Sequence, residues 1–298
     1  MSQIFDALHE SVAESLGGRA HGLPAARELL QVVERKNGSS TPMSEPATQA
    51  AGRDVLPQFP SAKVVLPEYS KFVCFNQDES LAAEKFRFLT TRLRHIQQKR
   101  FLKRLVVTSS VAGEGKSMVA ANLSYALAAG KQQVLLLEGD LRRPSLADQL
   151  GLTHLPGVSQ ILQGTNDTEN IYRLEGSGLC ILLAGDVHNN PLEFMEPGKL
   201  SGVMDHISVG FDWVVIDSPP LLPLADTSMW MRLADAVLLV TRPGVTSKRQ
   251  LQRSLETIEQ SKLLGSVVNA STEATNNHYY YHYASRSAGQ QSTTTATK

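Results

Sequence analysis

The stretch from residue 104 to residue 117, RLVVTSSVAGEGKS, runs without a break into MVAANLSYALAA. An apolar run of strand character, a glycine-containing turn, a Lys-Ser pair and a helical pattern follow one another. That junction leaves few folds open, because it is the context of a phosphate-binding loop. Backbone N–H groups of the turn and of the helix N-terminus converge on one point and bind phosphate oxygens there. Gly113 and Gly115 permit the backbone angles and the close approach this requires. The lysine of the pair, Lys116, is expected to neutralise the β- and γ-phosphates, and Ser117 to offer its hydroxyl to Mg²⁺. Ser110, Gly113, Glu114, Gly115, Lys116, Ser117 and Met118 are the expected nucleotide-binding residues of the loop. Ser110 stands where the pattern has its first glycine, a departure from the motif. The plainer alternative is an ordinary glycine-rich strand–helix turn.

Beyond this junction, short apolar runs alternate with helical patterns. Strands are expected at 104–109, 133–139, 179–185, 213–218, 236–242 and 265–270. Helices are expected at about 78–98, 117–129, 145–150, 192–207, 226–233 and 246–262. The strands are continuous apolar runs, as expected where both sheet faces are buried. The alternation predicts an α/β fold, a doubly wound and mainly parallel sheet, with ligands outside the carboxyl ends of the strands. Residues 3–16 place Ile4, Phe5, Leu8, Val12 and Leu16 on one face of a short amphipathic helix. Residues 37–62, rich in Ser, Pro, Ala and Gly, predict a flexible linker. The expected organisation is thus a helix and linker over 1–74, a P-loop domain over 75–275 and a tail over 276–298.

Two of the strands end in carboxylates. LLLEGDLRRP carries Glu138 and Asp140, and WVVIDSPP carries Asp217. Beside a phosphate loop, such positions handle Mg²⁺ and the attacking group. Asp217 suits the Walker B role. The second acidic motif exceeds what nucleotide binding needs, and suits the deprotonation of an attacking hydroxyl. Ser117, Asp140, Asp217 and Glu138 form the expected metal set, and Asp140, Lys116 and Asp217 the expected catalytic set. The alternative for Glu138 and Asp140 is a capping role, paired with Arg142 and Arg143.

Lys+Arg and Asp+Glu both number 29, so no net field argues for nucleic acid. The basic run Lys99, Arg100, Lys103 and Arg104 reads as a solvated approach to the first strand. Two cysteines exclude a disulfide framework and fit a reducing cytoplasm. The start has acidic residues where a signal peptide would be basic, and no run reaches membrane-spanning length. The expected location is cytoplasmic, with recruitment to the inner face of the membrane through a partner.

The end of the chain is unusual. Tyr279, Tyr280, Tyr281 and Tyr283 hold four of the seven tyrosines, among Asn, His, Ser and Thr. Tyrosine ordinarily buries its ring, and nothing in this segment could bury it.

TSSVAGEGKS, LLLEGDLRRPSL, VVIDSPP and the terminal YYYHY together resemble the bacterial tyrosine kinases of polysaccharide synthesis and export, over roughly residues 75–285. The resemblance implies ATP-dependent autophosphorylation of Tyr279, Tyr280, Tyr281 and Tyr283 in trans, an oligomer, and a membrane activator protein. It implies that Lys116 binds phosphate, that Ser117 ligates Mg²⁺, that Asp140 is base or metal shell, and that Asp217 is the Walker B acid. Asn269 falls where relatives of this fold contact the base. Two positions depart from the family. Glu138 replaces its usual Asp. Of the oligomer pattern Glu-x-x-Arg-x-x-Arg, Glu84 and Arg87 are kept, while Thr90 stands in place of the last Arg. A partition-type ATPase switch, and an ATP-binding regulator without catalysis, are the rival readings.

Overall fold

The computed structural model describes residues 58–68, 70–76, 80–152, 155–164, 170–186, 195–222 and 226–270. The amphipathic stretch 3–16 and the tyrosine cluster lie outside the described residues. Eight strands form one sheet: β1 (Ser61–Ala62), β2 (Arg104–Ser109), β3 (Val134–Glu138), β4 (Tyr172–Leu174), β5 (Cys180–Leu182), β6 (Trp213–Asp217), β7 (Ala236–Thr241) and β8 (Leu263–Val268). Their spatial order is β1-β4-β5-β3-β6-β2-β7-β8, and every pairing is parallel except β4 with β5. Around the sheet stand α1 (Val73–Asn76), α2 (Leu81–Lys99), α3 (Lys116–Ala129), α4 (Leu146–Leu150), α5 (Val158–Gln163), α6 (Pro197–Ile207), α7 (Asp226–Leu233) and α8 (Lys248–Thr257).

Alternate strand residues explain why the central runs are apolar throughout. Along β2, Leu105 and Val107 pack into one core with Leu93, Leu123 and Leu127, while Val106 packs into a second with Met204, Trp230 and Leu239. Both faces of β2 are therefore dry, and a polar residue on either would lose its water without a partner. Helices α2 and α3 supply the first core and α6 and α7 the second. The expected doubly wound, mainly parallel sheet is the observed one.

The short elements differ from expectation. Ser61 and Ala62, within the stretch read as linker, pair with Arg173 and Leu174. Strand β4, helix α1 and helix α5 have too few residues for a period to declare itself. The helix expected over 246–262 ends at Thr257, and β8 begins at Leu263, before the expected 265.

Helix α5 is docked by its first turn. Val158 N–H and Ser159 N–H donate to the carbonyls of Leu183 and Ala184 at 2.8 and 3.0 Å. The approach works because residue 157 is glycine: a Cβ there would lie 2.0 Å from the Leu183 carbonyl oxygen and 2.6 Å from Gly185 N. Gly157→Ala must displace backbone on one side. It is expected to cost about 1–3 kcal/mol, as overpacking does, measured as a lower urea midpoint with unchanged m-value.

Candidate functional site

Strands β2, β3 and β6 are adjacent and parallel, so their carboxyl ends open at one level. Glu138 and Asp217 are register partners across β3 and β6. Between β2 and α3 the phosphate loop turns through Gly113 at φ 84° and Gly115 at φ 89°, both in the left-handed region. Gly115 is also crowded: a Cβ would lie 2.2 Å from Asn269 Nδ2.

The lysine of the loop does not reach into solvent. Lys116 Nζ lies 3.0 Å from Asp140 Oδ2, 3.5 Å from Asp217 Oδ1 and 3.3 Å from Ser117 Oγ. Its side chain is 12% exposed, against 8% and 1% for the two acids, so the three charges form a nearly dry cluster. Burial works against the ammonium, but Asp217 and Asp140 outweigh it and hold Lys116 above the ordinary lysine value. Burial pushes the Asp217 carboxyl up, opposed by Lys116 and by a hydrogen bond with Ser117. The cluster pairs one cation with two carboxylates, so its charge is unbalanced in favour of a further cation. The second oxygen of Asp217, Oδ2, is buried without a hydrogen-bond partner among the described residues. A buried orphan acceptor is costly. Beside the Ser117 hydroxyl at the start of α3, it suits an Mg²⁺ ion or its bound water.

Glu138 is placed otherwise than expected of a metal ligand. Its Oε1 accepts the N–H groups of Ser145 and Leu146, each at 2.6 Å, and its Oε2 accepts Ala184 N–H at 3.0 Å. It thus anchors the start of α4 and the segment after β5. Burial pushes its carboxyl above the ordinary range, against the pull of those three donors. Asp140 is also held: its Oδ1 accepts Arg143 N–H at 3.1 Å, leaving Oδ2 for Lys116. The side chain of Arg142 pairs with neither acid. It forks onto Asp226 at the start of α7, with Nε 2.5 Å from Oδ2 and Nη2 3.2 Å from Oδ1.

That pair, with Trp230 Nε1–H donating to the Gly139 carbonyl at 2.9 Å, ties the Asp140 loop to the segment beyond Asp217. Sequence reasoning missed Asp226 and Trp230 as supports. An acid opening a helix just after the Walker B strand was the available signal, but its partner is 84 residues away.

The remaining expected residues are spread more widely. Ser110 Oγ is buried and has no hydrogen-bond partner among the described residues. Met118 packs against the α2–α3 core. Glu114 is fully buried, and its carboxylate accepts Val111 N–H of the loop itself at 2.7 Å. Asn269 Nδ2 donates to the Glu114 carbonyl at 2.8 Å, so its amide reaches the loop backbone. Glu84 and Arg87 form an exposed ion pair on α2, well apart from this site in the sequence. Such a pair contributes little on its own. Thr90 is buried, and its hydroxyl donates to the Arg87 carbonyl at 2.7 Å. No helix among the described residues is long and apolar enough to cross a membrane.

The family model described as ParA, NUBPL iron-transfer P-loop NTPase, matches residues 100–297. The chain is 30% identical over 200 residues to tyrosine-protein kinase YwqD of Bacillus subtilis (strain 168), covering 66% of this chain and 84% of YwqD. It is 32% identical over 190 residues to the putative tyrosine-protein kinase EpsB of Ralstonia solanacearum, covering 63% of this chain but only 25% of EpsB. Among solved structures, the chimerical protein CapA2B2 superposes with a TM-score of 0.64 at 27% identity, covering 72% of this chain and 95% of that one. A strand–loop–helix junction, its lysine shared between the carboxylates of Asp140 and Asp217, and these likenesses lead to one assignment: the chain belongs to the tyrosine-protein kinase family, within the ParA-type P-loop NTPases.

Proposed function

We propose that this chain is an ATP-dependent tyrosine autokinase of exopolysaccharide or capsule synthesis and export. It acts as a homo-oligomer in which one subunit phosphorylates Tyr279, Tyr280, Tyr281 and Tyr283 of its neighbour. The observation that carries the reading is the Lys116–Asp140–Asp217 cluster at the mouth of the phosphate loop. Simple nucleotide binding needs no second carboxylate there. A phenol that must lose its proton does.

The geometry supports the following roles. With nucleotide present, Lys116 would leave its two carboxylates for the β- and γ-phosphates. Asp140, freed on its Oδ2 side, would accept the phenolic proton as the tyrosine oxygen bonds to the γ-phosphorus. The bond between that phosphorus and the β–γ bridging oxygen breaks, and ADP leaves. Mg²⁺, when bound by Ser117 and Asp217, would supply charge neutralisation for the phosphates. Glu138 positions Asp140 by fixing the loop that follows it, and holds no metal in this reading. Asn269 steadies the loop near the base.

Four phosphates would add roughly −1.5 to −2 charges each, which drives neighbouring subunits apart. Glu84 and Arg87 supply the subunit contact, and a membrane polysaccharide co-polymerase supplies activation. The kinase is cytoplasmic, recruited to the inner face of the membrane, and binds no nucleic acid. The segment before residue 58, the P-loop domain, which takes in Ser61–Ala62 and Val73–Asn76 as well as 75–275, and the tail over 276–298 then divide docking, catalysis and substrate.

Changing all four tail tyrosines to Phe is expected to remove most phosphotyrosine, while an added catalytically intact chain still labels its own tail. Intact-mass and peptide mass spectrometry after incubation with Mg-ATP would measure it. Phosphate appearing chiefly on Tyr69, Tyr125 or Tyr172 sinks the tail as substrate. Of these, Tyr172 is buried and Tyr125 packs its ring against Phe75 in a tilted pair with centroids 4.1 Å apart, so both are poorly placed as acceptors. The ParA-type match keeps a second reading, a nucleotide-dependent dimerisation switch. Hydrolysis with no phosphate added to protein would favour it.

A further inference from the structure

The phosphate loop is held by two segments more than 120 residues further along the chain. Glu114 lies between the two loop glycines, and its side chain is completely buried. A carboxylate aimed at a bound phosphate would repel it, and a carboxylate buried without donors is costly. This one is turned into the protein and supplied with donors. Oε2 accepts Val111 N–H at 2.7 Å, within the loop itself. Oε1 accepts the Thr246 hydroxyl, and Arg242 N–H at 3.3 Å.

Thr246 and Arg242 belong to the tight turn between β7 and α8, closed by Val245 and Thr246 N–H groups on the Arg242 carbonyl, each at 3.1 Å. The Arg242 guanidinium reaches back to the Gly113 carbonyl at 3.4 Å. From the end of β8, Asn269 holds the Glu114 carbonyl. The side chain, the carbonyl and the preceding residue's carbonyl are thus gripped from one side. Within the loop, the Val111 N–H is itself taken up by this carboxylate.

We infer that Glu114 is a positioning residue for nucleotide phosphate binding, holding the phosphate loop in its observed shape through the Thr246 hydroxyl and the β7–α8 turn. A glycine-rich loop has many conformations of similar energy, and a binding-competent shape that is rarely populated weakens apparent affinity in proportion. The Glu114–Thr246 contact joins the glycine-containing loop to the turn at the end of β7. Burial pushes the Glu114 carboxyl above its ordinary range, and the N–H donors of Val111, Arg242 and Ser110 oppose that shift. The inference rests on the nucleotide-binding reading of the loop.

The test uses the full chain and Mg-ADP as probe, with calorimetric affinity and the KM and kcat of autophosphorylation for ATP as readouts. Thr246→Val keeps the shape and removes the hydroxyl. It is expected to weaken ADP binding about tenfold, as loss of one hydrogen bond to a charged group does, with KM raised in step and kcat within about threefold. Thr246→Ser is expected to restore the wild-type affinity. Glu114→Ala should weaken binding at least as much, and adding Thr246→Val to it should cost little further, because the Thr246 hydroxyl reaches the loop through the Glu114 carboxylate. Wild-type affinity in Thr246→Val, full additivity in the double variant, or a fall in kcat at unchanged KM overturns the positioning role. A wild-type chain that does not bind Mg-ADP overturns the phosphate-loop reading itself, and this inference with it.

Discussion

Lys116→Met is expected to abolish tail phosphorylation while the protein stays folded. The lysine sits at the start of α3 with its ammonium between Asp140 and Asp217, and its side chain is only 12% exposed. Methionine keeps most of the stem volume and removes the charge. Without it, the γ-phosphate loses its main protein cation and two carboxylates face the phosphates uncompensated. Loss of one preorganised charge contact at a reacting group typically costs two to three orders of magnitude, and here repulsion is added. Phosphate incorporation measured by intact mass should fall by at least about 100-fold. The circular dichroism spectrum should be unchanged, because the sheet and both cores are untouched. A variant that still phosphorylates its tail strongly would remove Lys116 from the site and with it the assignment of the loop.

The second large effect is on stability. Glu138→Ala strips the acceptor from Ser145, Leu146 and Ala184 N–H groups, the first two bonded at 2.6 Å. Each buried donor left without a partner costs about 1–3 kcal/mol, so a loss of roughly 3–5 kcal/mol is expected after partial relaxation. Chemical denaturation measures it. Activity should fall as well, because the loop that carries Asp140 begins at Glu138. If Glu138 were instead a metal ligand, the alanine variant would keep its stability and lose Mg²⁺ dependence.

The same residue contributes to the pH dependence of folding. Burial raises its carboxyl above the ordinary range, as it does for Asp217 and Glu114. A folded state with a raised carboxyl binds protons more readily than the unfolded chain. Its contribution is therefore fullest below the ordinary carboxylate range and is lost as pH rises through the folded-state value. Glu138→Ala should flatten that decline, read from denaturation midpoints across mildly acidic to neutral pH.

The features legible in the sequence were those with local causes. The phosphate loop declared itself because Gly, Lys and Ser must occupy set positions within one turn, and Gly113 and Gly115 do take left-handed angles. The central strands β2, β3, β6 and β7 were legible because burial on both faces leaves no polar positions to blur them. Asp217 was legible because it ends such a strand, and Asp140 because it lies two residues beyond one.

What stayed hidden depends on partners far along the chain. Glu138 and Asp140 look alike in EGD, two residues apart. Only the packing of α4 and the segment after β5 brings three N–H donors to Glu138 and leaves Asp140 facing Lys116. Arg142 was a reasonable partner for its neighbouring acids, yet it forks onto Asp226 across the sheet's carboxyl edge. Strand β1 sits in a stretch whose composition reads as linker, since two residues paired to β4 carry no period. The sequence alone determined the sheet class, the phosphate loop and the acids at its mouth, because these follow from residue type and near-neighbour spacing. Tertiary structure decided which acid faces the lysine, which is an anchor, and which distant turn holds the loop, because a hydrogen bond depends on where the chain returns and not on the letters around it.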